Sequence, residues 1–406
     1  MVGEWPETTW GDIAELKYGK AMTAYTDQPN LARVYGTNGP IGWHDTALQS
    51  GPGVIIGRKG AYRGVHYADQ PFWVIDTAYY LNPLVPMDLR WAYYWLLDYD
   101  VNNIDDGSPI PSTTREAFGF TPVKFPPLDE QSKIAHLLAS LDAKIDLNRQ
   151  MAATLEEMAQ ALFKSWFVDF DPVHAKAEGR NIGLPADIAA LFPDSFHHEG
   201  LPAGWSHEPL LKFAYLISGG TPKTDNAAYW NGEIPWASAK DVSQCGQLFL
   251  QTTERTITER GLRESSTKVV PANSTVVVAR GATTGRNCLF GIDMAMNQTC
   301  YALKSNEGFD FWFNLCFKNE INRIIASAHG SAFDTITTVT LQNASIVPAD
   351  KNVRSAFEKQ VFPLYQRVLF ATNEATELKN LRDYLLPKLI SGEIRVADAE
   401  AVTAAA

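Results

Sequence analysis

Two glycine-punctuated turns carry the residues whose chemistry is easiest to read. Val54-Ile-Ile-Gly-Arg-Lys-Gly-Ala sets Arg58 and Lys59 behind a β-branched run, with Arg63 close after them. Val276-Val-Val-Ala-Arg-Gly-Ala sets Arg280 in the matching place, with Arg286 following. A guanidinium is a planar fork of donors that stays charged, suited to paired acceptors on a phosphate or a base edge. Lys223, in Gly219-Gly-Thr-Pro-Lys, and Lys240, after Trp236, add point charges. Ser112, Thr113, Thr114 and Arg115, and farther on His329 and Ser331, offer hydroxyl, guanidinium and imidazole donors to phosphate. The same residues are also what a solvated turn or a self-bonded loop contains.

Bond-making chemistry is harder to find. No Gly-x-x-x-x-Gly-Lys-[Ser/Thr] phosphate loop occurs. Asn82-Pro-Leu and Asp171-Pro-Val lack the second proline and the aromatic of an amino-methyltransferase site. Glu15-Leu-Lys17 and Glu377-Leu-Lys379 end like a nuclease motif but lack a suitable Pro-Asp before them. His174, His197, His198 and His207 have no metal spacing, and Cys245, Cys288, Cys300 and Cys316 form no Cys-x-x-Cys pair. Neither a metal nor a disulfide framework is expected. The chain reads as a non-catalytic binding protein; the alternative is an autonomous nuclease or DNA methyltransferase with an unrecognised active site.

The elements that hold these turns come twice. Trp10-Gly-Asp-Ile-Ala-Glu-Leu is echoed by Trp205-Ser-His-Glu-Pro-Leu-Leu, and Tyr35-Gly-Thr-Asn-Gly by Ser218-Gly-Gly-Thr-Pro-Lys. The two basic turns follow, then Ile75-Asp-Thr-Ala-Tyr-Tyr-Leu and Asn297-Gln-Thr-Cys-Tyr-Ala-Leu, then Gly107-Ser108 and Gly330-Ser331 with Thr-rich sequence behind each. Each copy closes in a helical segment. Six matches in one order define an internal repeat.

The helical segments share a heptad frame. Ile134, Leu138, Leu141, Ile145, Asn148, Ala152, Leu155, Ala159, Leu162 and Trp166 keep a 4-3 spacing, and Phe357, Val361, Leu364, Val368, Ala371, Ala375, Leu378, Arg382, Leu385 and Leu389 repeat it. That is a coiled-coil seam. The first helix is predicted from about Glu130 to Phe167, ~55 Å at ~1.5 Å per residue. The second is predicted to be shorter, ~35 Å by the same rise, with Pro363 in its first turn and Pro387 ending or kinking it. Asn148 either fixes register inside the seam or faces water. Trp166, Phe167 and Phe170 read as core packing or as a docking patch for a partner.

Two globular units that each end in an apolar-striped helix can bury the stripes against one another. An antiparallel pairing relates the halves by a pseudo-two-fold, which suits two short DNA half-sites. A scaffold joining two unrelated modules fits the periodicity equally well.

The wording of the motifs narrows this. Leu128-Asp-Glu-Gln-Ser-Lys-Ile-Ala, Leu141-Asp-Ala-Lys-Ile and Phe163-Lys-Ser-Trp-Phe-Val-Asp-Phe-Asp-Pro resemble the central helical region of type I restriction–modification specificity subunits. Leu381-Arg-Asp-Tyr-Leu-Leu-Pro-Lys-Leu-Ile-Ser-Gly-Glu-Ile is similar to their distal helical region. Tyr35-Gly-Thr-Asn-Gly-Pro-Ile-Gly, Gly219-Gly-Thr-Pro-Lys and Ile234-Pro-Trp resemble loops of their target-recognition domains. The resemblance implies an α+β chain of two α/β target-recognition domains separated by two long antiparallel coiled-coil helices. It implies a split, asymmetric site on double-stranded DNA, two methyltransferase subunits and two restriction/translocase subunits as partners. S-adenosylmethionine, ATP and Mg would sit on those partners, and none on this chain. Ile134, Leu138, Leu141, Ile145, Asn148, Leu155, Leu162, Trp166, Leu364, Val368, Leu378 and Leu385 would then serve the spacer and subunit docking.

The expected domains are 1–127, a first target-recognition domain; 128–168, the central helix; 169–200, a connecting arm; 201–349, the second target-recognition domain; 350–395, the distal helix; and 396–406, a frayed tail. Across 406 residues the chain is 45% hydrophobic and 20% charged, ordinary for a globular protein. Its net charge of −11 means that any positive surface for DNA must be local. No apolar run is long enough to span a bilayer and Met1 to Trp10 shows no leader pattern, so a cytoplasmic protein is expected.

Overall fold

The computed structural model describes residues 5–104, 111–181, 183–327 and 335–405, with side chains described at all of these except 326–327 and 401–405. The chain divides into two compact units: Met1–Leu147 with Glu374–Ala406, and Asn148–Asn373.

In the first unit a four-stranded sheet has the order Ala14–Tyr18, Ala78–Pro83, Gly53–Gly57, Val65–Ala68, antiparallel throughout. Val54, Ile55 and Ile56 are wholly buried, which is why this strand is a continuous apolar run and not an alternating one. A second sheet sets Ala32–Gly36 between Gly39–His44 and Phe72–Val74, the latter pairing parallel. The helix Leu89–Tyr99 is capped by Asp88, whose carboxylate accepts from Arg90 N at 2.9 Å and Trp91 N at 3.1 Å. It buries Trp91 and Trp95 against Trp10, with centroids at 6.2 and 5.1 Å. Fully burying an aromatic or branched side chain contributes ~1.5–3 kcal/mol, so this tryptophan cluster anchors the unit.

The second unit repeats the plan. Its main sheet runs Ala214–Ser218, Cys300–Ser305, Thr275–Val278, Asn287–Phe290, the same order, and adds Phe249–Leu250 at the edge. Its other sheet sets Trp230–Ala237 between Arg255–Ile257 and Met294–Met296, again with one parallel pair, and adds Val269–Val270. A short antiparallel pair closes each unit: Glu7–Thr9 with Pro122–Lys124, and Glu208–Pro209 with Ser345–Ile346. The repeat in the sequence is a repeat in strand pairing, with one match corrected: Ser218-Gly-Gly-Thr-Pro-Lys follows Ala214–Ser218 as Gly19-Lys20 follows Ala14–Tyr18, whereas Tyr35-Gly-Thr-Asn-Gly belongs to the strand matched by Trp230–Ala237.

Two helices serve both units, Leu128–Phe167 (the central helix) and Lys351–Ser391 (the distal helix). Every one of the twenty heptad positions is buried or half-buried, including Arg382 and Asn148, so Asn148 lies inside the seam and does not face water. Within the first unit Ile134, Leu138 and Leu141 share a core with Leu385 and Leu389, and Lys144 pairs with Glu374 at 2.5 Å. Within the second, Phe163 and Trp166 meet Phe357 edge-on at 6.0 and 5.7 Å. In each unit the helices run antiparallel.

Three expectations are corrected. The distal helix is not the shorter one: it has 41 residues against 40, and both Pro363 and Pro387 lie inside it. Both prolines, and Lys359 and Asp383 four residues before them, are on the exposed side. The carbonyls that lose an N–H partner there can bond water while the buried stripe packs on. The arm after the central helix is not a bare connector. It forms helix Asp171–Ala177, buries Val173 and Ala175, and inserts Phe192 edge-on to Trp166 at 5.0 Å, so Trp166 is core. The tail is not frayed over its first half: Val396–Ala405 is helical, and Val396 and Ala399 are buried. Helix Asp171–Ala177 and this tail helix follow the two long helices at matching places, so the repeat reaches beyond the seam.

Candidate nucleic-acid interface

In the first unit several loops meet at one end of the main sheet. Thr37 Oγ1 donates to Thr77 O at 2.5 Å, and Gly64 N donates to Thr37 O at 3.0 Å. Arg58 N donates to Thr77 O at 3.0 Å, and Thr113 N to Arg58 O at 2.9 Å. Lys59 and Ser112 face each other across an isolated β-bridge. Residues far apart in sequence thus form one surface. Gly19 is needed beneath it, because a Cβ there would stand 2.1 Å from Ile75 O; at Gly219 in the second unit it would stand 1.9 Å from Asn297 O.

The second unit uses the same backbone bonds. Ala279 N donates to Thr299 O at 2.8 Å, Ile336 N to Ala279 O at 2.8 Å, and Arg280 faces Thr335 across a β-bridge. Position for position, Lys59 matches Arg280 and Arg58 matches Ala279. Gly57 N donates to Gly64 O, whereas Val278 N donates to Arg286 O. The second turn is therefore one residue longer, and Arg286 matches Gly64. The sequence alignment of Arg280 and Arg286 with Arg58, Lys59 and Arg63 is corrected accordingly.

Side chains at the matched positions fare differently. Lys59 and Arg115 are exposed, and Arg58 is half-buried with NH1 donating to Asp76 O at 3.1 Å. The Arg58 and Arg115 guanidiniums lie 4.9 and 5.0 Å from the centre of the Tyr18 ring. Tyr18 itself stands 5.0 Å from Tyr79 and is 46% exposed. Burial, reinforced by the Tyr18 hydroxyl, pushes the Tyr79 phenol up to about 12, so it stays neutral. Arg280 and Arg286 are exposed and make no ion pair with a described residue.

Arg63 is not a surface residue. Only 2% exposed, it donates through NH1 to Ile104 O at 2.8 Å and Thr113 Oγ1 at 3.1 Å, and through NH2 to Asn102 O at 2.8 Å. Its chemistry is spent on pinning the loops, and it cannot grip phosphate there. Ser112 and Thr113 are also buried, and Thr114 caps the helix Arg115–Gly119 by accepting from Ala117 N at 3.1 Å. These threonines bond inside the chain, as turn residues do. Lys223 is exposed, its carbonyl accepting from Trp230 Nε1 at 3.1 Å. Lys240 pairs with Glu254 at 2.7 Å, which raises the lysine pKa and matches its charge locally. His329 and Ser331 lie outside the described residues.

Sequence reasoning missed Tyr18. Its signal was available: it ends the strand before Gly19-Lys20, where the second copy has Ser218 before Gly219-Gly220. It also missed a shared brace. Trp73 Nε1 donates to Lys20 O at 2.8 Å, and Trp236 Nε1 to Gly220 O at 3.0 Å, so each unit steadies the same loop with an indole from a different strand position.

A family model described as the type I restriction modification DNA specificity domain matches this chain twice, over residues 3–157 and 202–351. The specificity subunit of the type I restriction enzyme HindI of Haemophilus influenzae is 27% identical over 331 residues, covering 70% of this chain and 72% of that protein. The MjaIX specificity subunit of Methanocaldococcus jannaschii is 25% identical over 317 residues, covering 73% and 66%. The crystal structure of a type I system S subunit from M. genitalium has the same fold, with a TM-score of 0.68 at 16% identity over 95% of this chain and 96% of that one.

Proposed function

Since this chain belongs to the type I restriction–modification DNA specificity family, we propose that it is the subunit that reads a split, asymmetric DNA site for such a complex and has no active site of its own. The observation that carries the asymmetry is the pair of matched loop ends. The two units share strand order and backbone bonds, yet Tyr18, Arg58 and Arg115 of the first stand where the second has Ser218, Ala279 and Thr338. One scaffold with two sets of side chains is what two different half-sites require.

Arg58, Lys59, Arg115, Lys223, Arg280 and Arg286 are the residues we assign to DNA. Arg63, Thr113 and Thr114 support them from within. The seam residues hold the helix halves together inside each unit. Leu147, Met158, Phe362, Phe370 and Tyr384 are each half or more exposed on those helices, and there we place the contacts with two methyltransferase and two restriction/translocase subunits. S-adenosylmethionine, ATP and Mg are assigned to those partners, and the complex to the cytoplasm.

The test is a domain exchange. Residues 1–126 are replaced by those of another family member, and methylated positions are mapped in DNA from cells carrying the complete system. One half of the methylated site should change while the other stays. A change in both halves would rule out the two-reader assignment, and turnover by the purified chain alone with DNA, Mg and S-adenosylmethionine would rule out the non-catalytic one.

A further inference from the structure

Tyr18 is 46% exposed at the end of its strand. Its register partner Tyr79 is buried, and the residue after the neighbouring strand is Arg58. Arg115 comes from a different segment, fixed by the Thr114 cap. Both guanidiniums converge on the Tyr18 ring at 4.9 and 5.0 Å. Stacking an arginine on an aromatic face restricts its rotamers before any ligand arrives, yet leaves its in-plane donors free. Prior ordering of this kind lowers the entropic cost of a later contact. Arg58 is further held by Asp76 O.

We propose that Tyr18 is a specificity-determining positioning residue: it holds Arg58 and Arg115 as a pre-ordered pair that reads a guanine in one half-site only. The base is named by chemistry. A guanidinium fork pairs bidentately with guanine O6 and N7 in the major groove, and no other base offers two acceptors there. The second unit has Ser218, Ala279 and Thr338 at these places, so its half-site is read by other groups, Arg280 among them. The inference rests on the DNA-reading assignment above and adds to it a residue, a base and a side.

The experiment uses the assembled methyltransferase complex, S-adenosylmethionine and a library of duplexes randomised across both half-sites, with Tyr18→Ala and Tyr18→Phe. Phenylalanine keeps the ring and loses only the hydroxyl. Tyr18→Ala should lower discrimination at one guanine position of one half-site on the order of tenfold or more and leave the other half-site untouched, while Tyr18→Phe should retain most of the preference. Matching thermal melts of the three proteins establish that the loss is not unfolding. Unchanged base preference in Tyr18→Ala, equal loss across both half-sites, or loss at a non-guanine position would each overturn the proposal. Failure of the unaltered complex to methylate any preferred sequence would instead overturn the DNA-reading assignment itself.

Discussion

Arg382 of the distal helix donates through NH1 to Asp142 Oδ1 of the central helix at 2.7 Å, and Tyr94 donates its hydroxyl to the other carboxylate oxygen at 2.6 Å. One carboxylate thus ties three elements of the first unit together. Arg382 sits at a heptad position where an apolar residue was expected, and its charge is tolerated because Asp142 faces it. The buried Tyr94 phenol is held far above its ordinary range by burial and by this carboxylate. Asp142→Ala would leave Tyr94 without an acceptor and Arg382 without its partner on the central helix. We expect a loss of about 2–3 kcal/mol, read as a lower melting temperature of the first unit, and a smaller loss in Asp142→Asn. Equal melting of all three proteins would show that the joint contributes nothing.

Arg63 and Lys59 separate structure from binding. Arg63→Ala leaves the Ile104, Asn102 and Thr113 acceptors unpaired in a buried site and should cost on the order of 3 kcal/mol, with little change in the salt dependence of DNA binding once the folded fraction is matched. Lys59→Ala should leave stability unchanged and reduce the slope of log K against log salt by about 0.9. Titrations of the assembled methyltransferase at several salt concentrations decide it; a reversed pattern would place phosphate at Arg63.

Glu358 makes the second unit sensitive to pH. Its carboxyl accepts from Phe311 N at 3.1 Å and Trp312 N at 2.9 Å, yet burial outweighs those bonds and pushes its pKa up to about 7 from an ordinary 4.5. A raised folded pKa means the folded unit binds this proton more tightly than the unfolded chain does. Its stability should therefore fall as pH rises from about 4.5 to about 7 and level off above that, by on the order of 3 kcal/mol at most. Glu358→Gln cannot ionise and should flatten this part of the curve in denaturant melts. A curve of unchanged slope would mean the carboxyl stays charged in the fold.

The four thiols should react unequally. Cys245 is drawn down to about 7 by its contact with Cys288 and is half-buried, whereas burial pushes Cys300 up to about 12 and also raises Cys316 well above the ordinary thiol range. Because the thiolate is the nucleophile, iodoacetamide near neutral pH should label Cys245 at least about tenfold faster than the other three. Peptide mass spectrometry over time measures this, and uniform labelling would contradict the assigned environments.

Much of this molecule was legible from local pattern. A heptad seam depends only on side-chain spacing along each helix, so all twenty positions could be named before any contact was known. The repeat was equally visible, because turns and buried strands impose glycine and β-branched residues wherever they occur. Proline was misread for a physical reason: whether Pro363 and Pro387 break a helix depends on whether the orphaned carbonyls reach water, and only the fold exposes them. The fate of Arg63 was likewise undecidable from sequence. Beside Arg58 and Lys59 it looks like a third phosphate contact, and only the return of residues 102–104 and 113 to its side buries it. The Tyr18, Arg58 and Arg115 grouping joins three segments that share no spacing. Sequence determined which residues were basic, apolar or turn-forming, while tertiary contact decided which of the basic ones remain free to meet a ligand.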